Sequence, residues 1–356
     1  MKLFDFFSKK TSGLGLDLGS TWIKLVKISP HPDGCTLKSV VRSPWQPGDN
    51  DSNAATAKKI QTIWTQLGLK DSVAISSLAG HAVIVKRVLF EAESPTALHD
   101  IVFRDARQYI PFDINDVFLD FQVLGRGEKP SSFEVLLVAS KKKVVENLTD
   151  IISQANLSLS IIDVDCFALC NSFEFNYPEF HDKPVYLLDI GGEQSVFCIY
   201  DHGQPAFMRE VPFGGRVITE SIASICGLSH SDAEQLKLNG PTEQILPLQP
   251  QIIDAISAKL ASWCEELQRL IGFYQASSSA ARQAQHVFIS GGGAMLANAC
   301  SIFQKELGIE VQFHDPFRRA HIDTAHFDTD YLHAIAPQMV VPFGLSLRGI
   351  VPAGTS

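Results

Sequence analysis

The sequence predicts a two-lobed α/β protein built on a duplicated unit, and three observations predict it. The chain has 356 residues, more than a single hydrophobic core usually organises. A strand–turn–strand–turn–strand unit occurs twice, once from Gly13 and again from Val185, and internal similarity of this kind marks repeated architecture. Short apolar runs of strand length alternate with amphipathic stretches of helical period, the pattern of helix-covered sheets.

The first copy opens with Gly13-Leu-Gly-Leu-Asp17-Leu-Gly19-Ser20-Thr21, which leads into an alternating strand from Trp22 to Ile28. A turn at Pro30 to Gly34 and a strand from Cys35 to Val41 complete the meander, since Gly and Pro punctuate hairpins. Helical periodicity spans Ala54 to Leu67, and Val73 to Ser77 is a buried strand. Strands at Val83 to Leu89 and Phe133 to Ala139 then flank a helix over Ala97 to Tyr109 and the segment Tyr109-Ile110-Pro111-Phe112-Asp113. The residue before proline disfavours helix, so the chain breaks there. This block, about 83–160, reads as a small subdomain inserted in the first lobe. Gly125 to Ser132 is rich in turn formers and charge and is expected to loop between two strands. A helix over Val144 to Gln154 and a strand over Ser160 to Val164 come next.

The second copy begins with Val185-Tyr-Leu-Leu-Asp189, continues through Ile190-Gly191-Gly192-Glu193-Gln194, and forms strands at Ser195 to Tyr200 and Pro205 to Val211. Gly214-Gly215 opens a helical stretch over Val217 to Cys226. A long helix at Ile252 to Tyr274, a buried strand at Val287 to Ser290 and a helix at Met295 to Leu307 complete the pattern. Residues 1–180 and 181–342 are therefore the expected lobes.

Bulk properties exclude several functions. A hydrophobic share of 45% and a charged share of 19% are ordinary for a globular chain and argue against disorder. The formal net charge of -9 opposes a protein that tracks a phosphate backbone, so no nucleic-acid partner is expected. Lys141-Lys142-Lys143 reads as a solvated helix face. No apolar run reaches the roughly 18 residues of a membrane span, and no secretory signal is present. Seven cysteines without paired C-x-x-C spacing read as reduced thiols, which fits a cytoplasmic protein. Met1 to Lys10, with Leu3, Phe4, Phe6 and Phe7 ahead of Lys9 and Lys10, is expected to dock its phenylalanines on the body rather than bind lipid.

The chemistry lies in the turns. A carboxylate at the end of a buried strand, followed within two residues by glycine, can face a hydrated divalent ion while the turn amides face phosphate oxygens. Asp17, Gly19, Ser20 and Thr21 have this form, and Asp189, Gly191, Gly192 and Ser195 repeat it. One such turn is a weak signal. Two opposed hairpins can grip one polyphosphate, and two aspartates brought together require a cation such as Mg²⁺ between them. The third element is Val287-Phe-Ile-Ser-Gly291-Gly292-Gly293, a buried strand passing through three glycines to a helix. Backbone stripped of Cβ atoms there can approach a flat base.

In this order the motifs resemble the actin, Hsp70 and sugar-kinase superfamily, whose fold is the actin-like (ribonuclease H-like) duplication. More narrowly the chain is similar to the PilM family of type IV pilus assembly proteins, related to the cell-division protein FtsA. That resemblance rests on Asp105-Ala-Arg-Gln-Tyr109-Ile110-Pro111-Phe112, Leu119-Asp120-Phe121, Val135 to Ala139, and Ile162-Asp163-Val164-Asp165-Cys-Phe167-Ala168-Leu169. It continues through Pro212-Phe213-Gly214-Gly215, Asp232-Ala233-Glu234 with Lys237, and Phe343-Gly344-Leu345-Ser-Leu347-Arg348-Gly349. The resemblance implies phosphate contacts at Asp17, Gly19, Ser20, Thr21, Asp189, Gly191 and Gly192, and nucleotide contact at Gly214 and Gly215. It also implies ribose or base contacts at Glu234 and Lys237, water orientation at Asp165, and a segment 343–356 that returns to the first lobe. Gly192-Glu193-Gln194 stand where the family carries small hydroxyl residues. A glutamate beside a triphosphate repels it unless a cation intervenes, so binding is expected more than hydrolysis.

The resemblance implies a cytoplasmic ATP-binding scaffold at the inner-membrane face, with ATP and Mg²⁺ as ligands and at most slow ATPase activity. Its partners would be the N-terminal tail of a PilN-like inner-membrane protein, received near Tyr109, Ile110, Pro111 and Phe112, and other pilus platform or motor proteins. Three alternatives share the fold: a component of a related pilus or secretion platform, an FtsA-like filament former, and a small-molecule kinase. Pro352 to Ser356 is too short and polar to be the terminal membrane anchor of a filament former.

Overall fold

The computed structural model describes residues 13–69, 73–79, 83–127, 129, 131–277 and 281–350. The N-terminal phenylalanines and the last six residues lie outside the described residues. The chain divides into two compact units, the first formed by residues 13–18, 22–168 and 345–350, the second by 19–21 and 169–344. The first division falls after Ala168, ahead of the boundary expected at 180, and the second after Gly344, two residues beyond the boundary expected at 342.

The first unit is organised by β1 (Gly13–Leu18), β2 (Trp22–His31), β3 (Gly34–Pro44), α1 (Asn53–Gln66) and β4 (Val73–Leu78). β1 to β3 form an antiparallel meander with Asp17 opposite Lys24, and β4 lies parallel to β1. Ser52 caps α1 by accepting from the Ala55 amide, satisfying one of the orphan donors of the first turn. Apolar β1 and β2 side chains bury against Ala57, Ile60, Ile63 and Trp64 of α1.

An inserted block comes next, comprising β5 (Val83–Glu91), α2 (Pro95–Asp105), β6 (Val117–Arg126) and β7 (Ser132–Lys141). Its three strands form a separate antiparallel sheet in the order β5-β7-β6. One face of that sheet packs Val88, Phe90, Val135, Leu137 and Ala139 on Leu98 and Val102 of the helix and on Ala106 just after it. The insertion is shorter than expected. After β7, α3 (Lys142–Gln154) and β8 (Ser158–Val164) rejoin the main sheet, where β8 pairs parallel to β4 and Leu148 and Ile152 enter the α1 core. Lys141 and Lys142 lie over the rings of Phe112 and Phe118, so two of the three lysines rest on aromatic faces. α4 (Asp165–Asn176) leads out of β8.

The second unit repeats the scheme. β9 (Val185–Ile190), β10 (Ser195–Asp201) and β11 (Gln204–Val211) form the meander, succeeded by α5 (Gly215–Cys226), α6 (His230–Asn239) and α7 (Gln249–Ser277). β12 (His286–Ser290), α8 (Ala299–Leu307), β13 (Glu310–Phe313), α9 (Thr329–Ile335) and α10 (Val340–Leu347) complete the chain. The sheet order β11-β10-β9-β12-β13 matches β3-β2-β1-β4-β8 of the first unit, with β12 and β13 parallel as β4 and β8 are. Its core is packed by Trp263, Leu267 and Leu270 of α7 and by Ile218 and Ile222 of α5. Among the described residues, no helix is long and apolar enough to cross a membrane.

Candidate functional site

In the first unit, β1 delivers Asp17 to the strand end with 7% exposure. The antiparallel register sets Lys24 beside it, and the Lys24 Nζ lies 2.5 Å from Asp17 Oδ2. Burying a carboxylate is tolerable when it is paired. The expected ion-facing aspartate is thus held by a lysine that no local motif singles out, although hairpin alternation puts the two opposite one another. Ser76 of β4 donates to the Leu16 carbonyl at 2.7 Å and ties the end of β1 to the parallel strand.

In the second unit, Asp189 is the last residue but one of β9 and accepts from the Ser290 hydroxyl of β12 at 2.8 Å. The tight turn after it requires Gly191: its amide donates to the Gln194 carbonyl, and a Cβ at 191 would fall 2.4 Å from that oxygen. Among the described residues, no acceptor takes the next three amides, those of Gly192, Glu193 and Gln194. Successive unbonded turn amides form an anion-binding concavity. Ser20 and Thr21 of the first turn belong to this unit. A Cβ on Gly192 would sit 2.6 Å from Ser20 Oγ and 2.7 Å from Thr21 Cγ2, so glycine is required where these residues meet.

Ser195 corrects one expectation. Its hydroxyl donates to the Phe213 carbonyl at 2.6 Å and the residue is 1% exposed, so it ties the hairpin to the segment before α5 instead of facing a ligand. That segment is pressed on the turn. The Gly215 amide donates to Gly191 O and the Arg216 amide to Gly192 O, at 2.9 and 2.8 Å, and a Cβ on Gly214 would meet Gly192 O at 2.6 Å. The turn and the start of α5 are one backbone assembly, and Gly214 leaves no room there for a side chain.

Glu234 and Lys237 of α6 join that assembly. The Lys237 ammonium lies 3.1 Å from Gly215 O, 2.8 Å from Thr219 Oγ1 and 2.7 Å from Glu234 Oε2, at 11% side-chain exposure. An ammonium has three donors and no acceptor, so these partners account for all of them. In this arrangement Lys237 pins the first turn of α5, and any ligand contact by it would require giving one partner up. Thr219, one helical turn after Gly215, also lies 2.5 Å from Glu234 Oε2; the i, i+4 spacing is its only sequence signal.

Two of the three glycines after β12 have packing reasons. Gly291 has φ +83 and a Cβ there would meet Ile190 O at 2.3 Å; a Cβ on Gly293 would meet Ile190 Cγ2 at 2.3 Å. For Gly292 the nearest atom to a Cβ is Gln338 Nε2 at 3.8 Å, so β9 imposes no glycine there.

Asp165 begins α4 and accepts from Ser77 Oγ at 2.5 Å. Asp163 is 2% exposed at its side chain and pairs with Arg348 at 3.1 Å within the first unit. Of the expected partner segment, Ile110 is 4% exposed in the core of the inserted block, and Tyr109 packs its ring edge-on to Phe90 at 5.5 Å. Ile110 is therefore spent on packing, while Pro111 is exposed and Phe112 partly so.

Two sheets of one order, each with an aspartate at the end of its first strand and a glycine turn after it, define an actin-like fold. Residues 15–350 match the family described as Type IV pilus assembly protein PilM, and the chain belongs to that family. Among solved structures it is similar to the PilM–PilN type IV pilus biogenesis complex, with 26% identity, a TM-score of 0.85, and 97% of this chain and 100% of that one covered. It is also similar in fold to the ethanolamine utilization protein EutJ from Carboxydothermus hydrogenoformans, at 15% identity and TM-score 0.54 over 97% of this chain and 92% of that one.

Proposed function

We propose that this chain is an ATP-binding scaffold of a type IV pilus assembly platform, working at the cytoplasmic face of the inner membrane by holding the N-terminal tail of a PilN-like protein. The observation that carries the reading is the match to the PilM–PilN complex along nearly the whole chain. A fold alone would not select this function, but membership of the family does narrow it.

For the nucleotide, the unbonded amides of Gly192, Glu193 and Gln194 fit phosphate oxygens, and Asp17, held by Lys24 in the first unit, and Asp189, held by Ser290 in the second, are each carboxylates of the kind that accept from water on Mg²⁺. When bound, the ion supplies charge neutralisation to the phosphates. The residues present hold and orient: the turn amides face phosphate, Gly292 leaves room for a base, and Lys237 keeps Gly215 in place. Asp165, fixed by Ser77, is the candidate for orienting water. Turnover is slow in this reading, because Glu193 adds negative charge to the phosphate turn, and nucleotide acts chiefly as a structural ligand that stabilises by mass action.

The test is a titration of a fluorescent peptide carrying the cytoplasmic tail of the partner, with and without ATP-Mg²⁺. Saturable binding by the folded protein supports the scaffold, and no binding in either condition rejects it. A coupled assay separates the kinase alternative, which needs substrate-dependent ADP release on the order of 10 per second.

A further inference from the structure

The turn between β9 and β10 carries a carboxylate in the middle of its unbonded amides. Glu193 sits between Gly192 and Gln194, and its Oε1 accepts from Arg216 Nη1 at 2.9 Å. Arg216 is the second residue of α5, and its own amide already donates to Gly192 O, so it is fixed to the turn at the backbone as well as at the side chain. The same guanidinium reaches Glu220 one turn along the helix, Nε to Oε1 at 3.3 Å. One cation therefore bridges two carboxylates beside an anion-binding turn. Glu193 and Arg216 are each 54% exposed, so the pair adds little to folding.

We propose that the Glu193–Arg216 pair sets the preference of this turn between nucleoside triphosphate and diphosphate, Glu193 opposing the charge of the terminal phosphate and Arg216 offsetting it. The proposal rests on the reading of this chain as a nucleotide binder. Glu193 cannot leave the turn, because Gly191 closes it on Gln194 and α5 covers it through Gly214, Gly215 and Arg216. The turn holds its backbone, and its half-exposed carboxylate is paired with Arg216, so the guanidinium offsets the charge an incoming phosphate meets. The nucleotides differ by one phosphate, and a unit charge about 8 Å from it in a solvated setting changes a binding constant by about two- to fivefold per charge. Arg216 also keeps Glu220 from adding a second uncompensated carboxylate.

The experiment is calorimetry with ATP-Mg²⁺ and ADP-Mg²⁺ on the full chain and on Glu193→Gln, Arg216→Gln and the double variant, each shown folded by its melting temperature. Glu193→Gln is expected to raise the ratio of ATP to ADP affinity about threefold, and Arg216→Gln to lower it about fivefold. The double variant should return towards the wild-type ratio, and both single effects should shrink at 0.5 M salt, as screening requires at about that ionic strength. A ratio unchanged in both single variants overturns the proposal while leaving nucleotide binding intact. Equal changes for the two nucleotides also overturn it, since they would show the pair shaping the turn without reading charge. If the wild-type chain binds neither nucleotide, the nucleotide reading fails and the proposal falls with it.

Discussion

At the scale of single residues, the two aspartates and most of the turn glycines can be read from the sequence because strand ends and tight turns have short local signatures. What each polar atom does cannot. Ser195 follows the second turn as a phosphate donor would, yet a contact eighteen positions away takes its hydroxyl. Ser195→Ala should therefore cost about 1–3 kcal/mol of stability, the usual cost of removing one partner of a buried hydrogen bond, with nucleotide affinity unchanged. Urea unfolding alongside calorimetry would show it, and weaker nucleotide binding in a protein of normal stability would restore Ser195 to the site. The glycines after β12 divide in the same way. Gly293→Ala should lower stability by about 1–3 kcal/mol through overpacking on Ile190. Gly292→Ala should leave stability within about 0.5 kcal/mol and instead reduce nucleotide affinity, if the base lies there. Lys24 and Ser290 leave no local signature because each acts across a strand pair, which becomes specific only when the register is fixed.

At the scale of elements, hydrophobic period locates the meanders and the long helices, and these are the parts whose burial is one-sided and regular. Sequence pattern extends the inserted block too far, over α3 and β8, because a strand reads alike whichever sheet it joins; only the parallel pairing with β4 assigns β8 to the main sheet. α6 is legible only through Glu234 and Lys237, its apolar face being short, with Ala233 and Leu236 as its buried residues. The junction of α4 and β13 supplies a prediction that no sequence pattern suggests. His314 follows β13, is fully buried, meets Ser172 of α4 through Nε2 at 3.1 Å, and is surrounded by the rings of Phe173 and Tyr177. Burial pushes its pKa down to about 3. The unfolded chain binds this proton near pH 6.5 and the native state does not. The contribution is therefore full above about pH 6.5, falls by about 1.4 kcal/mol for each unit below it, and levels off near pH 3. Stability measured by urea at pH 7 and pH 5 should drop by about 2 kcal/mol more in the wild type than in His314→Gln. Equal pH dependence in the two proteins would show that His314 is protonated without cost.

At the scale of the whole molecule, duplication is the property most legible in the sequence, because each copy preserves its strand–turn–strand order, and five strands of each sheet follow one order. Less legible is how the chain completes the first unit, since this depends on residues separated by most of its length. The first unit is closed by residues 345–350, which return to it after the second unit has been built. There the start of β1 touches the end of α10 so closely that a Cβ on Gly13 would lie 1.8 Å from the Ser346 carbonyl. Arg348 supplies the partner for the Asp163 carboxylate, both side chains being at least nine-tenths buried. Removing one member of a buried pair leaves a charge that must be desolvated without compensation, at a cost of about 3–5 kcal/mol. Arg348→Met is therefore expected to destabilise the first unit by about that amount and the second by far less. Ending the chain at Gly344 should do more, because it also uncovers β1. Hydrogen exchange read by mass spectrometry separates the two units: faster exchange should concentrate in β1, β4 and β8, with β9, β10 and β12 protected as in the intact chain. The double variant Asp163→Asn with Arg348→Met should recover much of the loss, since it removes the unpaired charge, and failure to recover would mean that packing of the returning segment outweighs the ion pair.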